Sequence, residues 1–125
     1  YLTEYELEMM HIVWHAEKPI TSTEILRRSI EKGKGWKDNS LHPMLQRLQK
    51  KGFIREVDII RDGRAFARTF GPMVSCEEYY TSFLAEATKD AGVPVLFSAL
   101  VNSDQVDEDT LTELEAKLAE KRKKL

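Results

Sequence analysis

Three groups of side chains stand at spacings suited to chemistry. His11 and His15 lie four residues apart, so one helix face would present both imidazoles to a metal ion. No third ligand follows nearby, and no metal or other cofactor is expected. Cys76, the only cysteine, follows Ser75 at the expected first turn of a helix, where a thiol pKa can fall. A tolerated small residue is the simpler expectation, with redox sensing as the alternative. No His accompanies Cys76 at helical spacing, and no Ser/His/Asp order or glycine-rich phosphate loop occurs, so an enzyme is not expected. The third group is the stripe Asn39, Pro43, Gln46 and Lys50, flanked by His42 and Gln49 on one side and Arg47 on the other. Asn and Gln pair bidentately with adenine edges, while Arg and Lys reach phosphate. The chemistry on offer is the reading of double-stranded DNA.

A stripe of this kind needs a helix with a buried opposite face. Leu41, Met44, Leu45 and Leu48 recur at the i, i+3, i+4, i+7 spacing of such a face. We expect the helix over about 40–51, with Ser40 as N-cap and Gly52 as the stop. Pro43 is then the third helical residue, where an N–H has no intrahelical partner in any case. A Ser/Thr with Glu three residues later marks four helix starts, at Thr3/Glu6, Thr21/Glu24, Ser75/Glu78 and Thr110/Glu113. Leu7, Met9, Met10, Val13 and Trp14 give the first helix its apolar face. Ile25, Leu26 and Ile30 give the second.

After Gly52 the period changes. "FIREVDII" and "AFARTF" are rich in β-branched and aromatic residues, and "RDGR" between them carries an Asp-Gly turn signal. Three helices followed by this hairpin make the plan of a winged helix-turn-helix domain over residues 1–72. The wing spans about 53–70, with Arg61 and Arg64 at its tip suited to phosphate or the minor groove.

Residues 73–125 return to helical patterns. Tyr80, Leu84, Val95, Leu96, Leu100, Val101, Leu111, Leu114 and Leu118 form apolar faces too rich for isolated surface helices. We expect an all-helical dimerisation domain and a symmetric homodimer. The fold class is therefore mostly α with a small β-hairpin.

The net charge of −2 over 125 residues conceals a division. Residues 27–51 carry eight bases and two acids, whereas residues 73–120 carry eleven acids and two bases. A concentrated basic patch is a footprint for phosphates. Lys37, just ahead of the reading helix, belongs to it. No apolar run is long enough to span a membrane. The first residues do not pattern as a secretory signal, and a lone cysteine fits a reducing compartment. A cytoplasmic protein is expected.

Taken in order, "LTEYELEMMHIVW", "KPITSTEI", Trp36 four residues before "SL", "LQRLQKKGFI", "DGRAF" and "SCEEY" resemble the penicillinase-repressor family of BlaI/MecI/CopY-type bacterial regulators. The resemblance runs by motif from Leu2 to about Tyr80 and more loosely through "VNSDQVDEDTLTELEAKL". It implies a winged-helix repressor acting as a homodimer on an inverted-repeat operator, with an upstream sensor or protease as a further partner. On this resemblance Ser40 matches the Thr that opens the family's recognition helix. Arg47 matches the Arg before its leucine, and Arg64 the wing arginine. Trp14 and Trp36 match packing tryptophans. The chain departs from the pattern at Pro43, where the family carries a hydroxyl residue, and in a longer hairpin. Ala99-Leu100 stands where the family's cleaved Asn-Phe bond would be, and no Cys-x-Cys pair occurs near the C-terminus. A different class of function, a winged-helix protein–protein module without DNA binding, uses the same fold. The basic patch with Arg61 and Arg64 separates the two.

Overall fold

The computed structural model describes residues 2–125, with the backbone but not the side chains of residues 38 and 39. Six helices and three strands follow in the order α1 (Glu4–His15), β1 (Ile20–Thr21), α2 (Ser22–Glu31), α3 (Asp38–Lys50), β2 (Ile54–Asp62), β3 (Ala65–Pro72), α4 (Cys76–Ala91), α5 (Val93–Val101) and α6 (Glu108–Lys123). They form two compact units, Tyr1–Tyr80 and Thr81–Leu125.

In the first unit, α1 opens on a complete capping box. The Thr3 hydroxyl accepts the Glu6 N–H at 3.2 Å, and the Glu6 carboxylate accepts the Thr3 N–H at 2.9 Å. Met9, Met10, Ile12 and Val13 face inward from α1 and meet Ile25 of α2 and Leu41, Met44, Leu45 and Leu48 of α3. Ile20, Ile54 and Phe70 from the sheet complete the core. The leucine face expected of α3 is buried throughout. The face expected of α2 is corrected at one residue: Ile30 is 60% exposed. The buried row on α2 instead runs from Ile25 to Ser29, one helical turn on. Ser29 is tolerated there because its hydroxyl donates to the Leu26 carbonyl at 2.6 Å.

α3 ends on a glycine-dependent motif. Gly52 has φ of 82°, its N–H donates to the Gln49 carbonyl at 3.0 Å, and the Phe53 N–H donates to Leu48 at 2.9 Å. This 5→2 and 6→1 pairing turns the chain out of the helix and into β2.

The sheet order is β1-β3-β2, all antiparallel. Gly63 and Arg64 form the two-residue turn between Asp62 and Ala65. Only Gly63 has positive φ, at 67°, as a type II′ hairpin turn requires. The ladder is interrupted once: Glu56 pairs with Phe70 and Asp58 with Thr69, leaving Val57 as an extra residue in a bulge.

The division between the units lies beyond residue 72, the boundary expected from the sequence. The start of α4 clusters with the first unit through side chains. The Trp14 indole donates to the Val74 carbonyl at 2.8 Å, and Tyr79 is buried beside Trp14 and Phe53. His11 Nε2 lies 2.8 Å from the Tyr80 hydroxyl. Burial, then the charges of His15 and Lys32, hold His11 below its ordinary pKa of 6.5. The unfolded chain therefore takes up this proton first. The stabilising contribution is complete above pH 6.5 and is lost as pH falls from there through the folded value. Thermal melts between about pH 5 and 8 are expected to show this loss, and His11→Phe should flatten it.

The second unit contains most of α4, all of α5, and α6. Pro94 occupies the first turn of α5, where it costs no hydrogen bond. Ala99-Leu100 lies inside this helix. The cap of α6 corrects the expected Thr110. Asp107 is the N-cap and accepts the Thr110 N–H at 2.8 Å, so the helix begins earlier. An Asp three residues ahead of Thr110 offers a charged acceptor to the same end of the helix, and charge-assisted bonds are the stronger ones. No described residue of 81–125 is buried. Leu84, Val93, Leu96, Phe97 and Leu100 of α4 and α5 line an apolar groove of about 680 Å³.

Candidate nucleic-acid interface

The reading stripe rests on the burial of the opposite face of α3. With Leu41, Met44, Leu45 and Leu48 in the core, Ser40, His42, Pro43, Gln46, Arg47 and Lys50 all stand exposed. Lys37 is exposed just ahead of them and Gln49 is half-buried at the flank. The side chain of Asn39, also expected in the stripe, lies outside the described residues. The structure thus brings Pro43, Gln46 and Lys50 to one solvent face, with Arg47 at its margin.

The expected start of this helix is corrected. α3 begins at Asp38 with Lys37 as N-cap, and no side chain caps it. The N–H groups of Ser40 and Leu41 both donate to the Lys37 carbonyl, at 2.9 and 3.1 Å. One turn therefore closes ahead of the position expected for the cap, and Pro43 is the sixth helical residue rather than the third. Its missing N–H leaves the residue 39 carbonyl without the usual i+4 donor. The leucine face on both sides of the proline keeps the helix continuous despite that loss.

The charge of the basic patch is less free than the count suggests. Arg28 pairs with Glu24 at 2.9 Å, and Arg27 pairs with both Glu24 and Glu31. Hydrogen bonds from Arg27 and Arg28 hold the Glu24 carboxyl down to about 2. Lys34 pairs with Glu8 at 3.0 Å, and Lys51 with Glu6 at 2.7 Å. Arg47 Nε lies 3.8 Å from Glu6. Among the described residues Lys32, Lys37 and Lys50 have no ion pair. A composition count misses the pairings of Lys34, Arg47 and Lys51 because Glu6 and Glu8 approach from α1, far away in sequence.

A concavity beside the stripe leaves no mark in the sequence. A cavity of about 530 Å³ is lined by Tyr5, Lys34, Trp36, Lys37, Ser40, Pro43, Met44 and Arg47, with the Gly35 backbone. Tyr5 had no periodic signal to mark it, because it lies on the outer side of α1.

The wing presents Arg61 and Arg64, both exposed. Arg61 lies over the ring of Phe66, its cross-strand partner, with the guanidinium carbon 5.9 Å from the centroid. Ile59 and Phe66 are exposed on the same hairpin. In the sequence these apolar side chains look like any strand residues, and only the burial of the strand's base, at Ile54 and Phe70, reveals that they project beyond the core.

His11 and His15 do not converge on a shared site. His15 Nδ1 contacts the His11 carbonyl at 2.6 Å while His11 engages Tyr80. Tyr80, expected at a pairing surface, is half-buried in the first unit by that contact. Among the described residues no cluster of three or more metal-binding side chains occurs. Among the described residues no helix is long and apolar enough to cross a membrane. In comparisons with known proteins, the penicillinase repressor family model matches residues 2–120. No curated protein matches the chain.

Proposed function

The chain belongs to the penicillinase repressor family, a family of DNA-binding transcriptional repressors, and from that premise we propose that it acts as a homodimer on an inverted-repeat operator. The observation that carries this reading is the exposed stripe of Gln46, Pro43 and Lys50 on a helix whose opposite face is the domain core. A helix so anchored enters the major groove as a rigid body, its position set by the fold. Gln46 reads a base edge. Pro43 offers a ring to a thymine methyl. Lys37, Ser40, His42, Arg47 and Lys50 line the approach to phosphate, with Arg61 and Arg64 of the wing reaching the adjacent backbone. Asn39 is included as a base-reading residue by its place in the stripe.

The second unit supports the homodimer. Leu84, Leu96 and Leu100 border a groove and no described residue of 81–125 is buried, so its apolar surface stays wet in a single copy. A second copy covers that surface, with Val95, Val101, Leu111, Leu114 and Leu118 contributing from α5 and α6. Residues 1–80 form the DNA-binding domain and the remainder the dimerisation domain. The repressor works in the cytoplasm, where the operator is.

Selection of bound sequences from random duplex DNA with the full chain tests this. An inverted repeat should emerge, and its affinity should fall steeply with salt because each phosphate contact releases counterions. Undetectable binding at low salt across the library would favour a protein–protein module instead. Gln46→Ala is expected to cost about 1–3 kcal/mol at one base position and relax preference there. Arg47→Ala should weaken cognate and random duplexes alike. Equal losses on both for Gln46→Ala would remove it from the reading set.

A further inference from the structure

Glu6 holds an unusual position for a carboxylate. Its side chain is 1% exposed, yet it sits directly beneath the proposed reading helix. One oxygen, Oε1, accepts the Thr3 N–H at 2.9 Å and Lys51 Nζ at 2.7 Å. The other, Oε2, is buried without a hydrogen-bond partner. The ion-pair partner of Oε2 is Arg47, whose Nε lies 3.8 Å away, beyond hydrogen-bond distance. Burial pushes the Glu6 carboxyl up, but hydrogen bonds from Lys51 and Thr3 and the charge of Lys51 outweigh it and hold the pKa below its ordinary value. Glu6 is therefore an anion at neutral pH with one oxygen unsatisfied.

Arg47 is well placed to choose. Its side chain is 56% exposed, so it is free to swing outward. A guanidinium carries five donors and no acceptor, and it pairs as well with carboxylate as with phosphate. If it turns inward, it supplies the missing counter-charge to Oε2. If it turns outward to DNA, it leaves a buried carboxylate oxygen less compensated, which is costly.

We propose that Glu6 competes with the DNA backbone for Arg47 and so sets how much of that charge the duplex receives. This inference rests on the reading of α3 as the DNA-facing helix. Glu6 acts as a positioning residue and touches no DNA itself. The base-reading side chains are unaffected, so the competition tunes the sequence-independent part of binding. Lys51 stays with Oε1 in both arrangements and keeps the end of α3 tied to α1.

Glu6→Gln removes the charge but keeps an acceptor for Thr3. In full-length protein this variant is expected to bind random duplex about 3- to 10-fold more tightly than the wild type, one added phosphate contact at low salt. The slope of log affinity against log salt should steepen by up to about 0.9. Both gains should vanish when Glu6→Gln is made in an Arg47→Ala background. An unchanged or shallower slope, or a gain that survives without Arg47, would overturn the proposal. The second of these outcomes would mean that only a nearby negative charge had been removed. Melting curves establish that the variant is folded. If it is not, Arg47→Ala and Lys37→Ala are compared in the presence of Glu6. Arg47→Ala should then flatten the slope by less than half as much as Lys37→Ala, and an equal or larger change overturns the idea. Wild-type protein that fails to bind duplex at low salt would refute the DNA-binding reading itself. Wild-type binding with an unresponsive Glu6→Gln refutes only the competition.

Discussion

A fragment ending at Tyr80 is expected to stay folded, to sediment as a monomer, and to bind its operator about 10²- to 10⁴-fold more weakly than the full chain. The core of the first unit lies entirely within these residues, from Met9 to Phe70. The cut retains the Trp14–Val74 hydrogen bond and the packing of Tyr79, which a fragment ending at residue 72 would discard. What the fragment loses is the unit whose apolar residues are all partly or fully exposed in one copy. Two half-sites joined in one dimer bind with the second event made intramolecular, and separation forfeits that gain. Analytical ultracentrifugation and titration of the selected operator read the two effects together. Leu100→Glu in the full chain should reproduce them, because a carboxylate on the groove of α4 and α5 cannot be covered by an apolar partner without cost. A stable dimer of the 1–80 fragment would place the pairing surface in the first unit.

The second large effect is on stability. Leu48→Ala is expected to destabilise the first unit by about 2–5 kcal/mol. Leu48 is fully buried at the junction of α3 with the rest of the core. A domain of this size is stable by only about 5–15 kcal/mol, so the variant approaches unfolding near physiological temperature. DNA binding should be lost with it, because α3 is held by the same face. Urea unfolding followed by circular dichroism measures the difference. Ile30→Ala is the contrast. That side chain is mostly exposed, and a change within about 0.5 kcal/mol is expected.

The parts of the fold legible in the sequence are those fixed by neighbours along the chain. The boxes at Thr3/Glu6 and Ser75/Glu78 close as their three-residue spacing indicates. Thr21 caps α2, although Glu24 turns away to Arg27 and Arg28 instead of returning to it. The leucine period of α3 and the turn signal in "RDGR" are equally local, although the turn pair is Gly63-Arg64 rather than Asp62-Gly63. Where two local signals compete, the pattern misleads. Asp107 and Thr110 both offer caps to one helix, and the hydroxyl of Ser40 with a proline three residues on favours a start there over one at Asn39. Backbone bonds to the Lys37 carbonyl decide that case instead. Ion pairs between distant segments leave no such trace. Glu6 and Lys51 are 45 residues apart, and only the packing of α1 against α3 brings them together. For the same reason, the sequence marked the exposed face of α3 correctly but did not show which of its cations were already engaged.

The extra residue at Val57 has a consequence for the whole outer half of the hairpin. Side chains alternate along a strand, so an inserted residue exchanges the two sides from that point outward. Arg61 and Phe66 pair across the ladder, as do Ile59 and Arg68, on the side shared with Glu56 and Phe70. Asp58, Ile60 and Asp62 take the other side. Arginines and aspartates are thereby sorted onto opposite surfaces by one position in the chain. Without the bulge, strict alternation from Glu56 would carry Asp58, Ile60 and Asp62 to the side that Arg61 now shares with Phe66. Alignment frame, more than amino-acid content, decides which charge this hairpin offers to whatever lies beneath it.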